Sequence, residues 1–445
     1  MKSYSMKLYS FLCFPFALVS ASPTSDSIIE TFKQVDILGI GGDAVENTLS
    51  RTFCGISQGV VTAIHESKKF FNPSNLTEEE AFADYNRMIS LQKTPLAARF
   101  SLQDARQPEW LTVFALYNGF TYCKTHDPAD ISKFALPNPR LTASPDQMLP
   151  TGPFTLNSLN DFNAYNGMKT NSSQLDGRFI VTTDDKHQLI TLTWRGSVFT
   201  NDFMADAVGI PTFVTDSEFK PYADVAPNGS DGIMDEKCRL PQHVEGADDY
   251  FMFAGFLHVM HKEVLDLVVQ ELTKAYAIHP DYSIAINGHS LGAAKSFITA
   301  FYLAKFYSKQ LPLAAVYTYE QPLVGSTLLA TWMADCITPS KIIRVVAAND
   351  AIPWMRAASN VQHPATVIEQ FNPDPNQNVW KQCMGPNEGG CSKQYSCLDQ
   401  SWKYHSFIGG VRVGSGLCWY IGKYKVHQKT TSREKIRGII VDTGK

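Results

Sequence analysis

The chain has 445 residues, of which 44% are hydrophobic and 18% charged, and its formal net charge is −4. This composition is sufficient for a large core in one or two domains. The charge balance excludes a strongly basic surface for nucleic acid or an anionic membrane, and no apolar run of about 18 residues that would span a bilayer follows the N-terminal segment.

Residues 1–21 have the pattern of a secretory signal peptide. Lys2 and Lys7 precede an apolar stretch at 8–19, and small residues lead up to a cleavage position after Ala21. Sequons at Asn75, Asn171 and Asn228 predict N-glycosylation, although short sequons also arise by chance. The sequence therefore predicts a secreted, extracellular glycoprotein.

Cysteine usage agrees with an oxidising compartment. One of the nine cysteines, Cys13, lies in the signal segment, which leaves an even set of eight. An even set in a secreted chain predicts up to four disulfides. The eight are Cys54, Cys123, Cys238, Cys336, Cys383, Cys391, Cys397 and Cys418.

The chain divides into four predicted regions. After the signal, residues 22–105 carry no catalytic motif and are interpreted as a propeptide or a helical N-terminal extension. Residues 106–420 form the main domain, with a polar surface insertion at 206–248, and residues 421–445 form a basic tail.

Within the main domain, strand patterns alternate with helix patterns. We expect helices at 110–123, 256–277, 293–309 and 328–334, and strands at 178–183, 188–194, 282–287, 314–319 and 341–348. The first two strands are separated by a short polar turn, which predicts an antiparallel hairpin. The alternation predicts an α/β fold with a central, mostly parallel sheet and flanking helices.

The most informative motif is Gly288-His289-Ser290-Leu291-Gly292, which follows the strand at 282–287 and precedes the helix at 293–309. This G-x-S-x-G pattern between a strand and a helix is typical of a nucleophile elbow, in which a tight turn exposes the serine hydroxyl. The sequence predicts that Ser290 is a nucleophile.

A serine nucleophile requires a base, and the base requires an orienting acid, in the chain order Ser, Asp or Glu, His. Asp350 follows a buried strand at the edge where α/β folds place their sites, a position that Asp335, Asp374 and Asp399 lack. Three histidines follow Ser290. His363 precedes a proline, a context that favours an extended loop and a solvent-facing side chain. His427 lies in the basic tail. His405 lies among aromatic residues, where a base or a structural role is equally compatible with the residue pattern.

An oxyanion hole is also expected. One donor is the backbone N–H after the nucleophile, at Leu291, and the other comes from an earlier strand end. Trp194-Arg195-Gly196-Ser197 is such a strand end, because Gly196 permits a close backbone approach and Ser197 offers both N–H and O–H.

Together these motifs resemble the class 3 triacylglycerol lipases, the secreted fungal family, and most of all the yeast extracellular type. The resemblance extends from Trp110 to Cys418. It rests on ordered motifs that begin at Trp194, Asn201, Ala254, Gly288, Gln321, Asp350 and His405. It implies an α/β-hydrolase fold with a helical lid, His405 as the base, and a disulfide between Cys123 and Cys418.

The chain departs from the family pattern at a few positions. Ala293 replaces a second glycine, Glu320 stands where glycine commonly precedes Gln-Pro, and the insertion and N-terminal extension are long. The cluster of Cys383, Cys391 and Cys397 is expected to form a local disulfide, with a zinc site including His405 as the alternative.

The expected activity is hydrolysis of lipid esters at an oil–water interface by Ser290, Asp350 and His405, without metal or cofactor. Phe199, Phe203 and Met204 are interpreted as the apolar face of a lid, with an ordinary amphipathic core helix as the alternative. A phospholipase, a feruloyl-type carbohydrate esterase or a non-catalytic secreted binding protein with the same fold are the other hypotheses. The sequence makes no prediction of the oligomeric state.

Overall fold

The computed structural model describes residues 99–122, 155–162, 177–196, 211–213, 236–239, 250–260, 262–354, 361–385, 388, 390–392, 404–405 and 407–413. Among these residues, no helix combines the length and the apolar character needed to cross a membrane. Several predicted features lie outside the described residues. They are the signal segment, most of the N-terminal extension, the basic tail, the three sequons, Ser197, Phe199, Phe203, Met204, Cys123, Cys397 and Cys418.

An eight-stranded sheet forms the centre of the described structure. Its strands lie in the order β1-β2-β3-β6-β7-β8-β9-β10. β3, β6, β7, β8 and β9 are mutually parallel, whereas β1, β2 and β10 pair antiparallel at the two edges. The strands are β1 (Thr155–Phe162), β2 (Gly177–Asp184), β3 (Leu189–Trp194), β6 (Ser283–His289), β7 (Leu313–Tyr319), β8 (Ile342–Ala347), β9 (Glu369–Asn372) and β10 (Lys381–Cys383).

Two short ribbons and five α-helices complete the described elements. β4 (Pro211–Phe213) pairs with β5 (Phe251–Phe253), and β11 (Phe407–Ile408) pairs with β12 (Val411–Arg412). The helices are α1 (Pro108–Thr121), α2 (Ala254–Val259), α3 (Lys262–Ile278), α4 (Leu291–Phe306) and α5 (Thr327–Ile337). Single 3-10 turns occur at Glu236–Cys238, Pro339–Lys341 and Ile352–Trp354.

Apolar side chains cover both faces of the sheet, because successive residues of a strand point to opposite sides. In β6, Ile284 and Ile286 pack with α3, α4 and α5, whereas Ala285 packs with α1 on the other face. α1 is buried from Trp110 to Thr121, which is the expected environment of a helix that is apolar on all sides. The sheet is therefore held between two helical layers, with its strand ends left to form a site.

The sequence predictions of the fold are confirmed. β2 and β3 form the predicted antiparallel hairpin, and the alternating strands and helices after it build the parallel part of the sheet. Element boundaries differ by up to three residues at most ends. The helix expected at 256–277 is two helices instead, because the backbone at Met260 leaves the helical region (φ −112°, ψ 39°) and ends α2.

Two disulfides lie among the described residues. Cys383 and Cys391 form the expected local bridge, with a sequence separation of 8. Cys238 and Cys336 form a second bridge, with a separation of 98, that ties the polar insertion to α5. The sequence predicted no partner for either cysteine of this second pair.

The two bridges predict different losses of stability on removal. In the chain-entropy model, the Cys238→Ala/Cys336→Ala variant loses about 5 kcal/mol of unfolding free energy, and the Cys383→Ala/Cys391→Ala variant about 2.5 kcal/mol. All four cysteines are fully buried, so the second pair is a matched control for lost packing. Denaturant unfolding of both variants measures the difference. Equal losses would show that loop closure does not govern the effect.

Candidate active site

Ser290 occupies a sharp turn between β6 and α4. Its backbone is left-handed, with φ 60° and ψ −130°, a conformation that is unfavourable for a residue with a side chain. The turn is held from the neighbouring strand, because the Ser290 N–H donates to the Tyr319 carbonyl at the end of β7 over 2.9 Å. The strand, turn and helix together have the geometry of the predicted nucleophile elbow.

The two glycines of the motif are required by close backbone contacts. A Cβ on Gly288 would lie 2.0 Å from the carbonyl oxygen of Gly292, and a Cβ on Gly292 would lie 2.5 Å from the carbonyl oxygen of Trp194. Only hydrogen in place of a side chain allows the turn to close and α4 to approach the end of β3. Gly196 is equally confined, since its Cβ would lie 2.2 Å from the Tyr122 hydroxyl and 3.1 Å from the Ser290 Cβ.

A chain of hydrogen bonds connects Ser290, His405 and Asp350. The His405 Nε2 lies 2.8 Å from the Ser290 Oγ, and the His405 Nδ1 lies 2.7 Å from the Asp350 Oδ2. The three side chains come from the turn after β6, the loop after β8 and the segment before β11. A proton on Nδ1 donates to the carboxylate and leaves Nε2 to accept the serine O–H. The structure thus brings together the three residues that the sequence selected.

The Asp350 carboxylate is positioned by its own loop. The N–H of Ile352 donates to its Oδ1 over 3.2 Å, and Asp350 is fully buried. His405 and Ser290 are buried as well, with 2% and 5% of their surfaces exposed. In such a weakly polar environment, hydrogen bonds to a charged carboxylate are stronger than in water.

A second histidine supports the first. His289, inside the G-x-S-x-G motif, places its Nε2 2.7 Å from the His405 carbonyl oxygen and its Nδ1 3.1 Å from the Tyr122 hydroxyl. Because a carbonyl only accepts, Nε2 carries the proton and Nδ1 accepts from Tyr122. Burial raises the pKa of Tyr122, which keeps this phenol protonated as the donor. Burial and the nearby His405 ring hold the pKa of His289 well below 6.5, so its ring is neutral.

The remaining candidates from the sequence lie elsewhere. Leu291 is the first residue of α4, whose leading N–H groups lack acceptors within the helix, whereas Ser197 lies outside the described residues. Asp374 hydrogen-bonds within its own loop, to the N–H of Asn376. His363 is not solvent-facing as the X-Pro context suggested. It is 4% exposed, and its Nε2 donates to the Pro353 carbonyl over 2.9 Å.

Sequence reasoning missed three residues that adjoin the site. His289 and Tyr122 support His405, and Glu320 lies buried at the end of β7 beside Asp350. The one available signal was the departure of Glu320 from the glycine that the family commonly has there. Nothing in the sequence pattern around Tyr122 distinguishes it from an ordinary core tyrosine.

Cys383, Glu388 and Cys391 are the one group of ligand-type side chains that lie close enough to hold a metal ion among the described residues. Their two cysteine sulfurs form a disulfide and are not available as thiolates. His405, the fourth member of the zinc alternative, is bonded to Ser290 and Asp350. The zinc hypothesis therefore loses three of its four ligands.

Comparisons with known proteins agree with this geometry. Residues 191–359 match the family model described as Lipase (class 3), which confirms the resemblance to the class 3 lipases. Over 184 residues the chain is 27% identical to secreted mono- and diacylglycerol lipase A of Penicillium cyclopium, which covers 41% of this chain and 48% of that protein. Over 134 residues it is 29% identical to secreted mono- and diacylglycerol lipase 3 of Gibberella zeae, covering 30% and 41% of the two chains.

The matches therefore span about half the length of these curated relatives or less. Among solved structures, a Rhizomucor miehei lipase in complex with its propeptide is similar, with a TM-score of 0.50 and 20% identity over 71% of this chain and 81% of that one. The likeness concerns the fold, and it confirms the α/β-hydrolase architecture expected from the sequence.

The neutral state of His289 predicts acid sensitivity. Its pKa in the folded protein lies below the unfolded value of 6.5, so below that pH the unfolded chain takes up a proton that the folded chain does not. Stability is lost as the pH falls, by about 1.4 kcal/mol per pH unit. His289→Gln keeps a neutral donor and acceptor but does not titrate. We expect a shallower fall of unfolding free energy below pH 6.5, measured by denaturant titration. Parallel curves for the two proteins would contradict this assignment.

Proposed function

We propose that the protein is a secreted serine hydrolase that cleaves carboxylic ester bonds of lipids, with triacylglycerols as its substrate class. The observation that carries the proposal is the hydrogen-bonded series from the Ser290 hydroxyl through His405 to the Asp350 carboxylate, at 2.8 and 2.7 Å. The signal segment and the names of the secreted relatives support the extracellular location.

The first half of the reaction forms an acyl-enzyme. The His405 Nε2 removes the proton from Ser290 as Oγ attacks the ester carbonyl, and Asp350 stabilises the resulting imidazolium. His405 then gives this proton to the departing glycerol oxygen. In the second half a water molecule takes the place of Ser290 Oγ as the nucleophile, and the fatty acid is released as Ser290 regains its proton.

The negative charge of the tetrahedral intermediate requires donors that are already in place. Leu291 supplies a backbone N–H at the first turn of α4, where the helix dipole also favours an anion. Ser197 supplies the second donor, following Gly196, whose backbone lies against Ser290. Each donor contributes about 3 kcal/mol to stabilisation of the transition state.

A lid supplies the preference for lipid substrates in this proposal. Phe199, Phe203 and Met204 follow the oxyanion strand directly in sequence. Opening of this apolar segment at an oil–water interface gives an aggregated ester access to Ser290. No cofactor takes part in any step.

Partial glycerides are the second candidate substrate class. Both fungal relatives are named mono- and diacylglycerol lipases. The same Ser290 chemistry serves either class, so the choice depends on the shape of the acyl and glycerol pockets.

Replacement of Ser290 tests the activity. Ser290→Ala removes the nucleophile, and we expect kcat/KM for a soluble p-nitrophenyl ester to fall on the order of 10⁴-fold or more, as for other serine hydrolases. The kcat/KM of Asp350→Asn should fall by a comparable factor, because His405 loses its orientation. Ser283→Ala, at the opposite end of β6, is the matched control and should retain the wild-type rate. Equal rates for wild type and Ser290→Ala would reject the nucleophile.

Emulsified substrates test the substrate class. We expect release of fatty acid from long-chain triacylglycerol above the concentration at which an interface forms, because the lid requires an interface to open. Mono- and diacylglycerols, phospholipid vesicles and methyl ferulate are compared under the same conditions by titration of released acid. Faster cleavage of partial glycerides would favour the second class, and cleavage of phospholipid or ferulate alone would overturn the assignment.

A further inference from the structure

Glu320 is a buried carboxyl group in a strained position beside the site. It follows β7 directly, its surface is fully buried, and its backbone is left-handed with φ 52°. Its N–H donates to the Val345 carbonyl over 2.9 Å. A side chain of ordinary L-configuration is unfavourable at this φ, so contacts of the side chain must hold it there.

The carboxyl group reaches from β7 across to the end of β8. Its Oε1 accepts a hydrogen bond from the N–H of Ala347 over 2.6 Å. Its Oε2 is buried and has no hydrogen-bond donor among the described residues. Ala347 also accepts a hydrogen bond at its carbonyl from the Asp350 N–H over 3.1 Å, so one residue links Glu320 to Asp350, a second carboxyl group that interacts with the Glu320 side chain. Two carboxylates side by side in a dry environment repel, unless one of them holds a proton.

The surroundings of Glu320 favour its protonated form. Burial first, and then the nearby charge of Asp350, raise the pKa of Glu320 well above 4.5, against the opposing effects of the Ala347 N–H and of Arg344. Arg344 is paired with Glu369, which also accepts from Ser392. Asp350 in turn accepts from His405, whose backbone carbonyl accepts from the neutral His289. These effects favour the protonated form of Glu320, which has one O–H to donate.

We propose that Glu320, in its protonated form, donates a hydrogen bond from Oε2 to the Asp350 carboxylate and thereby positions the acid that orients His405. The inference rests on the proposed function of Ser290, Asp350 and His405. Asp350 otherwise receives the 2.7 Å bond from His405 and a longer bond of 3.2 Å from the Ile352 N–H. A third donor fixes the rotation of the carboxylate and satisfies one more of its acceptor positions.

Loss of the Glu320 proton at alkaline pH reverses this effect. The hydrogen bond becomes a repulsion between two carboxylates, and Asp350 no longer holds His405 toward Ser290. The wild-type kcat is therefore expected to fall at alkaline pH for a reason separate from the ester chemistry. Glu320 touches neither the substrate nor the reacting atoms, so it is a positioning residue.

Two variants of similar size distinguish the effect of the hydrogen-bond donor on kcat from the effect of side-chain volume. Glu320→Gln keeps an acceptor for the Ala347 N–H and places an amide N–H toward Asp350, and it does not titrate. We expect its kcat at neutral pH to stay within about threefold of wild type, with the alkaline fall removed. Glu320→Leu lacks the donor, and its kcat should fall about 10- to 100-fold with KM little changed. The assay is p-nitrophenyl ester hydrolysis over neutral and alkaline pH.

Thermal unfolding gives a readout that does not depend on catalysis. The folded protein keeps the Glu320 proton that the unfolded chain releases above pH 4.5, so this group costs increasing stability as the pH rises from 4.5. The Tm of Glu320→Gln relative to wild type should therefore increase over that range. This arm decides the outcome even if Glu320→Leu fails to fold.

The outcomes distinguish this inference from the proposed function. An alkaline fall in Glu320→Gln identical to that of wild type, a wild-type kcat in Glu320→Leu, or a Tm difference independent of pH would each overturn the role of Glu320. A fully active Ser290→Ala in the same assay would instead overturn the proposed function. In that case the pH dependence of the Tm difference between Glu320→Gln and wild type still reports whether Glu320 holds a proton.

Discussion

The turn at Ser290 is the constraint on which the site depends. A left-handed serine between β6 and α4 stores about 1–3 kcal/mol of backbone strain, and the surrounding packing must hold it. The hydrogen bond from Ser290 to the Tyr319 carbonyl and the tight contact between Gly288 and Gly292 do so. If this turn relaxed, the hydroxyl would lose its place at the carboxyl end of β6, and His405 would have nothing to deprotonate.

The strain is not confined to one strand. Three residues with side chains and positive φ, Ser290 at 60°, Glu320 at 52° and Ala348 at 42°, directly follow the neighbouring strands β6, β7 and β8. Each of these parallel strands turns sharply as it leaves the sheet. The turns keep the chain close to the sheet edge, and they bring the Ser290 hydroxyl, the Glu320 carboxyl group and the Asp350 loop into one small buried volume. The rigid core beneath, packed on both faces, offsets the cost.

Because these polar groups are buried, the protonation state of each one strongly affects the electrostatics of the site. Burial raises the pKa values of Tyr122 and Glu320 and lowers the pKa of His289, so it favours the uncharged form of all three groups. Tyr122 donates to His289 and His289 donates to the His405 carbonyl, and in our proposal Glu320 donates to Asp350, whose carboxylate stabilises the imidazolium. A fixed arrangement of this kind requires little reorganisation when charge develops during acyl transfer.

Local patterns in the sequence determined a large part of this protein. The strand–turn–helix signal around Ser290, the hairpin of β2 and β3, and the position of Asp350 after β8 all follow from residue types within a short window, because strand ends and tight turns have strong local preferences. His405 was different. Its surroundings were equally compatible with a structural role, and only the ordered motifs of a family resemblance raised it above His363 and His427.

The tertiary structure alone decided the contacts between distant segments. These contacts are the pairing of Cys238 with Cys336, the bond from His289 to the His405 carbonyl, and the approach of Glu320 to Asp350. They join residues that lie 98, 116 and 30 positions apart in sequence, respectively. No local preference encodes such a pairing, since it arises from the order of strands in the sheet. Parallel strands placed side by side bring their carboxyl ends together. This arrangement places Glu320, at the end of β7, close to Asp350, after β8.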